Sequence, residues 1–172
     1  GADTINVDRL PSLTSRTGSA TDTLDIDGGQ DTDTIRIQLA GASSYRINVT
    51  DSGNPDRGVD TLTILGTDAA DQFLMRRNFV ALVHPNADGT YPVNAVVERI
   101  NYDMSINGRV IVEGGKGDDR FAMDDNAALM TIDGGEGNDF FQVGQVFATP
   151  RDVPNGLLVE DAFETTKLSF GG

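Results

Sequence analysis

The sequence predicts an all-β protein, a parallel β-helix or β-roll solenoid of about eight coils at about twenty residues each. Three observations carry this expectation. Short apolar alternations of period two recur along the chain, glycine-rich acidic turns separate them, and an aspartate returns at a fixed place after each turn. Nothing competes for a helix, since the nearest candidate, "DDNAALM" at 124–130, is too short. A β-sandwich is the rival architecture, because short strands with regular turn signals also suit it.

Asp33, Asp71, Asp119 and Asp139 anchor the repeat. Two positions after each stands an apolar residue (Ile35, Phe73, Phe121, Phe141), and four positions after stands another (Ile37, Met75, Met123, Val143). Nine and seven positions before lie Leu24/Ile26, Leu62/Ile64, Val110/Val112 and Met130/Ile132. Each unit therefore reads as strand, turn, strand, and a partial copy opens the chain at Asp3, Ile5 and Val7. From Asp3 onward the anchors are 30, 38, 48 and 20 residues apart. The shortest interval suits one coil and 38 suits two, with alternations at 45–50, 79–83 and 96–102 expected to supply intervening coils. The stretches 50–60 and 84–92 are rich in turn formers and are expected as surface loops. Residues 143–172 hold two prolines and no anchor, which suggests an atypical terminal coil or cap. The chain opens on "GADTINV" and closes on Phe170-Gly171-Gly172, as if cut from a longer array, so 1–172 is read as one domain of such an array.

The composition narrows the function classes. Thirteen Lys and Arg against 27 Asp and Glu leave a net charge of −14, which repels nucleic acid and anionic membranes and attracts cations. A hydrophobic share of 38% is enough for a core and too high for a disordered acidic tail. The absence of Cys excludes a disulfide framework and thiolate metal sites. No apolar run approaches the ~18 residues of a membrane span, so no membrane insertion is expected.

The turns carry the chemistry. Gly114–Asp119 (GGKGDD) and Gly134–Asp139 (GGEGND) are complete; Gly28–Asp33 loses its third glycine to Asp31, and Gly66–Asp71 keeps only the first glycine and the final Asp. Calcium is a hard cation that takes six to eight oxygens, and carboxylates with glycine-turn carbonyls supply them. If 113–123 and 133–143 stack in register, Asp119 and Asp139 lie roughly 5 Å apart, where a divalent ion turns repulsion into attraction. The plainer alternative is that Gly and Asp serve as turn formers, the Asp bonding its own turn backbone.

The nonapeptides GGKGDDRFA and GGEGNDFFQ resemble the calcium-binding repeats of the hemolysin type, also called RTX repeats. That resemblance implies a parallel β-roll with Ca2+ held between neighbouring turns. It makes Asp119 and Asp139 side-chain ligands and places Gly115, Gly117, Gly135 and Gly137 in the carbonyl cage. Asp118 and Asn138 of the same turns, with Asp31 and Asp33 of the degraded one, complete the candidate metal set.

No catalytic constellation converges. His84 sits in a turn-rich loop near Tyr91, while Tyr102, the Arg76-Arg77 pair and the adjacent Asp124 and Asp125 have ordinary structural readings. The expectation is a non-enzymatic, calcium-stabilised structural segment of a larger secreted or cell-surface protein, of adhesin or matrix type. Its expected partners are calcium and neighbouring repeats of the same polypeptide. The alternative is a carbohydrate-binding or polysaccharide-processing module that takes glycans at loops 50–60 and 84–92.

Overall fold

The computed structural model of the protein describes residues 1–12, 23–53, 58–89, 95–123, 126–144 and 167–168. Among them the chain is all-β. The strands are β1 (Thr4–Asp8), β2 (Thr23–Asp27), β3 (Thr34–Gln38), β4 (Tyr45–Thr50), β5 (Thr61–Leu65), β6 (Gln72–Arg76) and β7 (Phe79–Leu82). They continue as β8 (Ala95–Val96), β9 (Glu98–Tyr102), β10 (Arg109–Lys116), β11 (Arg120–Met123), β12 (Met130–Glu136), β13 (Phe140–Val143) and β14 (Lys167–Leu168). A first sheet, β1-β3-β5-β10-β12, is parallel throughout. A second runs β13-β11-β6-β7-β9-β4-β2, and β8 pairs antiparallel with β14 apart from both.

Alternation decides which face is buried. In β3, Ile35 and Ile37 turn inward while Thr34 and Arg36 are exposed, and β5 buries Leu62 and Ile64 in the same register. Ile47 and Val49 of β4, Ile100 of β9 and Phe73 and Met75 of β6 join them in one core. Phe73, Phe121 and Phe141 form an aromatic file through β6, β11 and β13, with centroids 4.9 Å apart at each step and rings within 6° of parallel. Strand register sets this spacing, since adjacent strands lie about 4.8 Å apart.

Three of the four repeat units align as the anchors predict. Leu62/Ile64, Val110/Val112 and Met130/Ile132 stand in register in the first sheet, and Phe73, Phe121 and Phe141 in the second. The first unit does not. Ile35 and Ile37 belong to the first sheet beside Leu62 and Ile64, whereas Leu24 and Ile26 lie in the second sheet beside Ile47 and Val49. The reason is β4, a full strand between Asp33 and Asp71 that shifts the later anchor to the other sheet.

The alternation at 79–83 also departs from expectation. It is no intervening parallel coil: β7 turns back on β6 through Arg77 and Asn78 and pairs antiparallel with both β6 and β9. This hairpin absorbs the 48-residue interval between Asp71 and Asp119, and the first sheet gains no strand from it. The described residues thus give the first sheet five strands, fewer than about eight coils would need. Around the hairpin the second sheet is buried on both faces: Leu74, Arg76, Phe79, Ala81 and Arg99 lie opposite the core and are buried too. Of the terminal coil or cap expected over 143–172, Val143, Gly144 and β14 are described; the rest lies outside the described residues.

Phe121 is 1% exposed between its two stacking partners, while Phe141 is 46% exposed at the end of the file. Phe121→Ala should therefore lower the unfolding free energy in urea by about 3–5 kcal/mol, and Phe141→Ala by less than half as much.

Candidate metal centre

Each turn runs from a glycine to an aspartate five residues later: Gly28 to Asp33, Gly66 to Asp71, Gly114 to Asp119 and Gly134 to Asp139. The carboxylate folds back over that glycine. A β-carbon on Gly28 or Gly66 would stand 2.7 Å from Oδ2 of Asp33 or Asp71; on Gly114 or Gly134 it would press still closer on Asp119 or Asp139. The spacing is thus a packing requirement, because only glycine leaves room for the carboxylate.

Asp71 keeps both oxygens in its own turn, where the Thr67 N–H donates to Oδ2 at 2.6 Å and the Thr67 hydroxyl to Oδ1 at 3.2 Å. In Asp119 and Asp139 the second oxygen reaches the neighbouring strand layer. The Asp71 N–H donates to Asp119 Oδ1 at 2.8 Å, and the Asp119 N–H donates to Asp139 Oδ1 at 3.0 Å. Outside this ladder, exposed Asp118 accepts the Asn138 N–H at 2.9 Å. Asp119 and Asp139 are brought together as the spacing predicts. Gly115, Gly117, Gly135 and Gly137 all adopt positive φ. The carbonyls of Gly115 and Gly117 lie against Gly135 and Gly137, so closely that a β-carbon would overlap them.

The carboxylates and glycine carbonyls gathered here are hard oxygen donors, and Asp119 Oδ2 is buried without a hydrogen-bond partner, so the donor chemistry fits a hard cation. Burial, reinforced by the charges of Asp71, Asp139 and Asp118, pushes the Asp119 carboxyl up to about 6, although the Asp71 amide opposes the shift. Asp71 is raised as well, chiefly by burial.

Asp33 stands elsewhere. The turns ending in Asp71, Asp119 and Asp139 lead from the first sheet to the second, but 28–33, 51–60 and 103–108 lead back. Here a separate ladder forms. Asp33 Oδ1 accepts the Asp3 N–H at 2.6 Å, Asp60 Oδ1 accepts the Asp33 N–H at 2.8 Å, and Asn107 Oδ1 accepts the Asp60 N–H at 3.0 Å. Asp31, on this turn, is exposed with φ of 79°.

Sequence reasoning missed Asp51 and Asp60, placing both in a surface loop; they are 7% and 0% exposed. With Asp33 they bring one carboxylate oxygen each within 4.8 Å of the others. A signal for Asp60 was present: Asp3-Thr4-Ile5, Asp33-Thr34-Ile35 and Asp60-Thr61-Leu62 each open a strand of the first sheet. With separations of at most 4.8 Å and an effective dielectric of about 20, each pair of full charges would repel by roughly 3 kcal/mol or more.

Glu98 shows how this fold settles a buried carboxylate with protein groups alone. Its Oε2 accepts the Ala40 N–H at 2.8 Å and the Tyr45 hydroxyl at 2.7 Å, and Oε1 accepts the Ser43 N–H at 2.9 Å. Burial and the adjoining Glu98 in turn push the Tyr45 phenol up.

Of the residues weighed for catalysis, His84 is exposed and Arg76 and Tyr102 are buried, the Tyr102 hydroxyl facing the Arg76 carbonyl at 3.4 Å. Tyr91, Asp124 and Asp125 lie outside the described residues. Comparison with protein-family models, with curated proteins and with solved structures returns no match.

Gly114→Ala should be strongly destabilising, since its β-carbon would meet both Asp119 Oδ2 and the Gly134 carbonyl; Gly89→Ala, with nothing within 4 Å, should cost only about 1 kcal/mol for its positive φ. Thermal denaturation of the two variants separates these outcomes.

A carboxyl lifted from 3.8 to about 6 on folding holds its proton more tightly in the folded chain, so its contribution favours folding at low pH and is lost as pH rises through about 6. In calcium-free buffer the melting temperature should rise from about pH 7 to about pH 5, and Asp119→Asn should flatten that rise. A wild-type curve that falls over this window would contradict the assignment.

Proposed function

We propose that the chain is a parallel β-solenoid and a structural segment of a larger secreted or cell-surface protein, of adhesin or matrix type. The observation that carries this reading is the register between β10 and β12, in which Gly115 stands against Gly135 while Asp139 takes the Asp119 amide one layer away. Layers fastened both by strand hydrogen bonds and by turn carboxylates make a stiff rod, which suits spacing and force transmission. The turns Gly114–Asp119 and Gly134–Asp139 would hold calcium through Asp119 and Asp139, whose charge an extracellular, millimolar ion would offset. Bound to the folded chain alone, the ion would couple folding to the compartment.

The test is calorimetric. Calcium should raise the melting temperature of chelator-treated protein, and magnesium, which sheds its water reluctantly, should do so far less. The calcium-induced rise should shrink in an Asp119→Asn/Asp139→Asn double variant and persist in Asp68→Asn, whose carboxylate is exposed. An undiminished rise in the double variant removes calcium from these turns, and saturable glycan binding in a glycan screen would overturn the spacer role.

A further inference from the structure

A second group of acids, away from the two complete glycine–aspartate turns, is harder to explain without a ligand. Asp33, Asp51 and Asp60 are 1%, 7% and 0% exposed, come from two connections that lead from the second sheet back to the first, and converge to within 4.8 Å. Asp33 and Asp60 each place one oxygen in the amide ladder described above. The other oxygen of each, Oδ2, is buried with no hydrogen-bond partner. Buried polar atoms are ordinarily satisfied, and Glu98 shows that this chain can supply the donors. Two orphaned carboxylate oxygens beside a third carboxylate describe an anionic pocket, a poor arrangement for an ion-free core.

The connections are also built to close on each other. Gly53 packs on the Gly29 carbonyl and Gly58 on the Asp31 carbonyl, so tightly that a β-carbon at either would overlap backbone. Close approach of 51–53 and 58–60 to 28–33 is what brings Asp51 and Asp60 up to Asp33.

We propose that Asp33, Asp51 and Asp60 form a buried binding site for a hard divalent cation such as calcium, which ties Asp33 to the two ends of the 51–60 connection. Ligands of one charge and all oxygen select hard cations. Carboxylates within 4.8 Å of one another can share one ion, and a ligand set drawn from loops rather than a rigid octahedron suits calcium better than magnesium. The site goes beyond the spacer reading and does not rest on it, because none of its residues belongs to the complete glycine turns.

Asparagine variants test it with little damage to the fold, since the amide oxygen can still accept the ladder hydrogen bonds of Asp33 and Asp60. The probe is calcium chloride, titrated to about 10 mM into chelator-treated protein and read by calorimetry, a range that covers extracellular calcium modules. The Asp119→Asn/Asp139→Asn double variant should still bind calcium saturably, and adding Asp51→Asn should abolish that saturable binding over the titrated range. Asp51→Asn alone should bind one ion fewer than the wild type. In chelator it should melt no lower than the wild type, because a repelling charge is gone, yet in calcium it should melt lower. A merely structural Asp51 would give a loss of stability that calcium does not change. Loss of all binding in the double variant overturns this site while leaving the turn sites standing. Unchanged stoichiometry in Asp51→Asn overturns it as well, and a wild type with no calcium binding removes both.

Discussion

A buried carboxylate must find donors, and in this fold the donors are backbone amides of the neighbouring strand layer. The aspartate that ends each turn lies over the glycine that begins it, and all but Asp71, which Thr67 holds within its own turn, offer the remaining oxygen sideways. Asp119 takes the amide of Asp71, and Asp139 that of Asp119. Because the side chain is short, the bond forms only when successive turns superpose, so the ladder specifies register as well as adding hydrogen bonds. A slip of one residue would strand these carboxylates and also turn Ile132 and Val112 to solvent. Glycine is the other half of the device, since a β-carbon at Gly114 would displace the Asp119 carboxylate.

The same constraint has an electrostatic consequence. Superposed turns superpose their charges, and a chain with net charge −14 has few cations to set against them. The molecule resolves this differently at different places. Glu98 is fully furnished with donors and staples the 39–44 connection to β9. At the position of Asp33 and Asp60 the next layer carries Asn107, which keeps the acceptor oxygen and drops the charge. Asp118 is followed by Asn138 in the same way. Even so, one buried oxygen each of Asp33, Asp60 and Asp119 is left without a hydrogen-bond partner. These are the places where a metal ion would do most for stability.

The β6–β7 hairpin breaks the pattern and makes the second sheet mixed. It also changes the demands on its residues. Strands that face solvent on one side alternate, as β3 does, whereas β6 and β7 must be buried on both faces and read as near-continuous apolar runs. Arg99, buried on the outer face, lies 4.1 Å from the Phe79 ring centroid, so the aromatic face supplies part of what water would have given.

The sequence by itself determined the all-β class, the inward set Leu62/Ile64, Val110/Val112 and Met130/Ile132, and the pairing of Asp119 with Asp139, because these depend on period-two alternation and one uninterrupted interval of 20 residues. Only the tertiary structure decided the rest. Periodicity records which side chains share a face, but not which of two sheets a strand joins, so Asp33 looked equivalent to Asp71 while lying at the opposite connection. Strand direction was hidden for the same reason, since Phe79–Leu82 alternates identically whether parallel or antiparallel. The burial of Asp51 and Asp60 was hidden because turn-forming composition reports local conformation, whereas burial depends on the backbone laid over it, here the glycine contacts between 51–60 and 28–33.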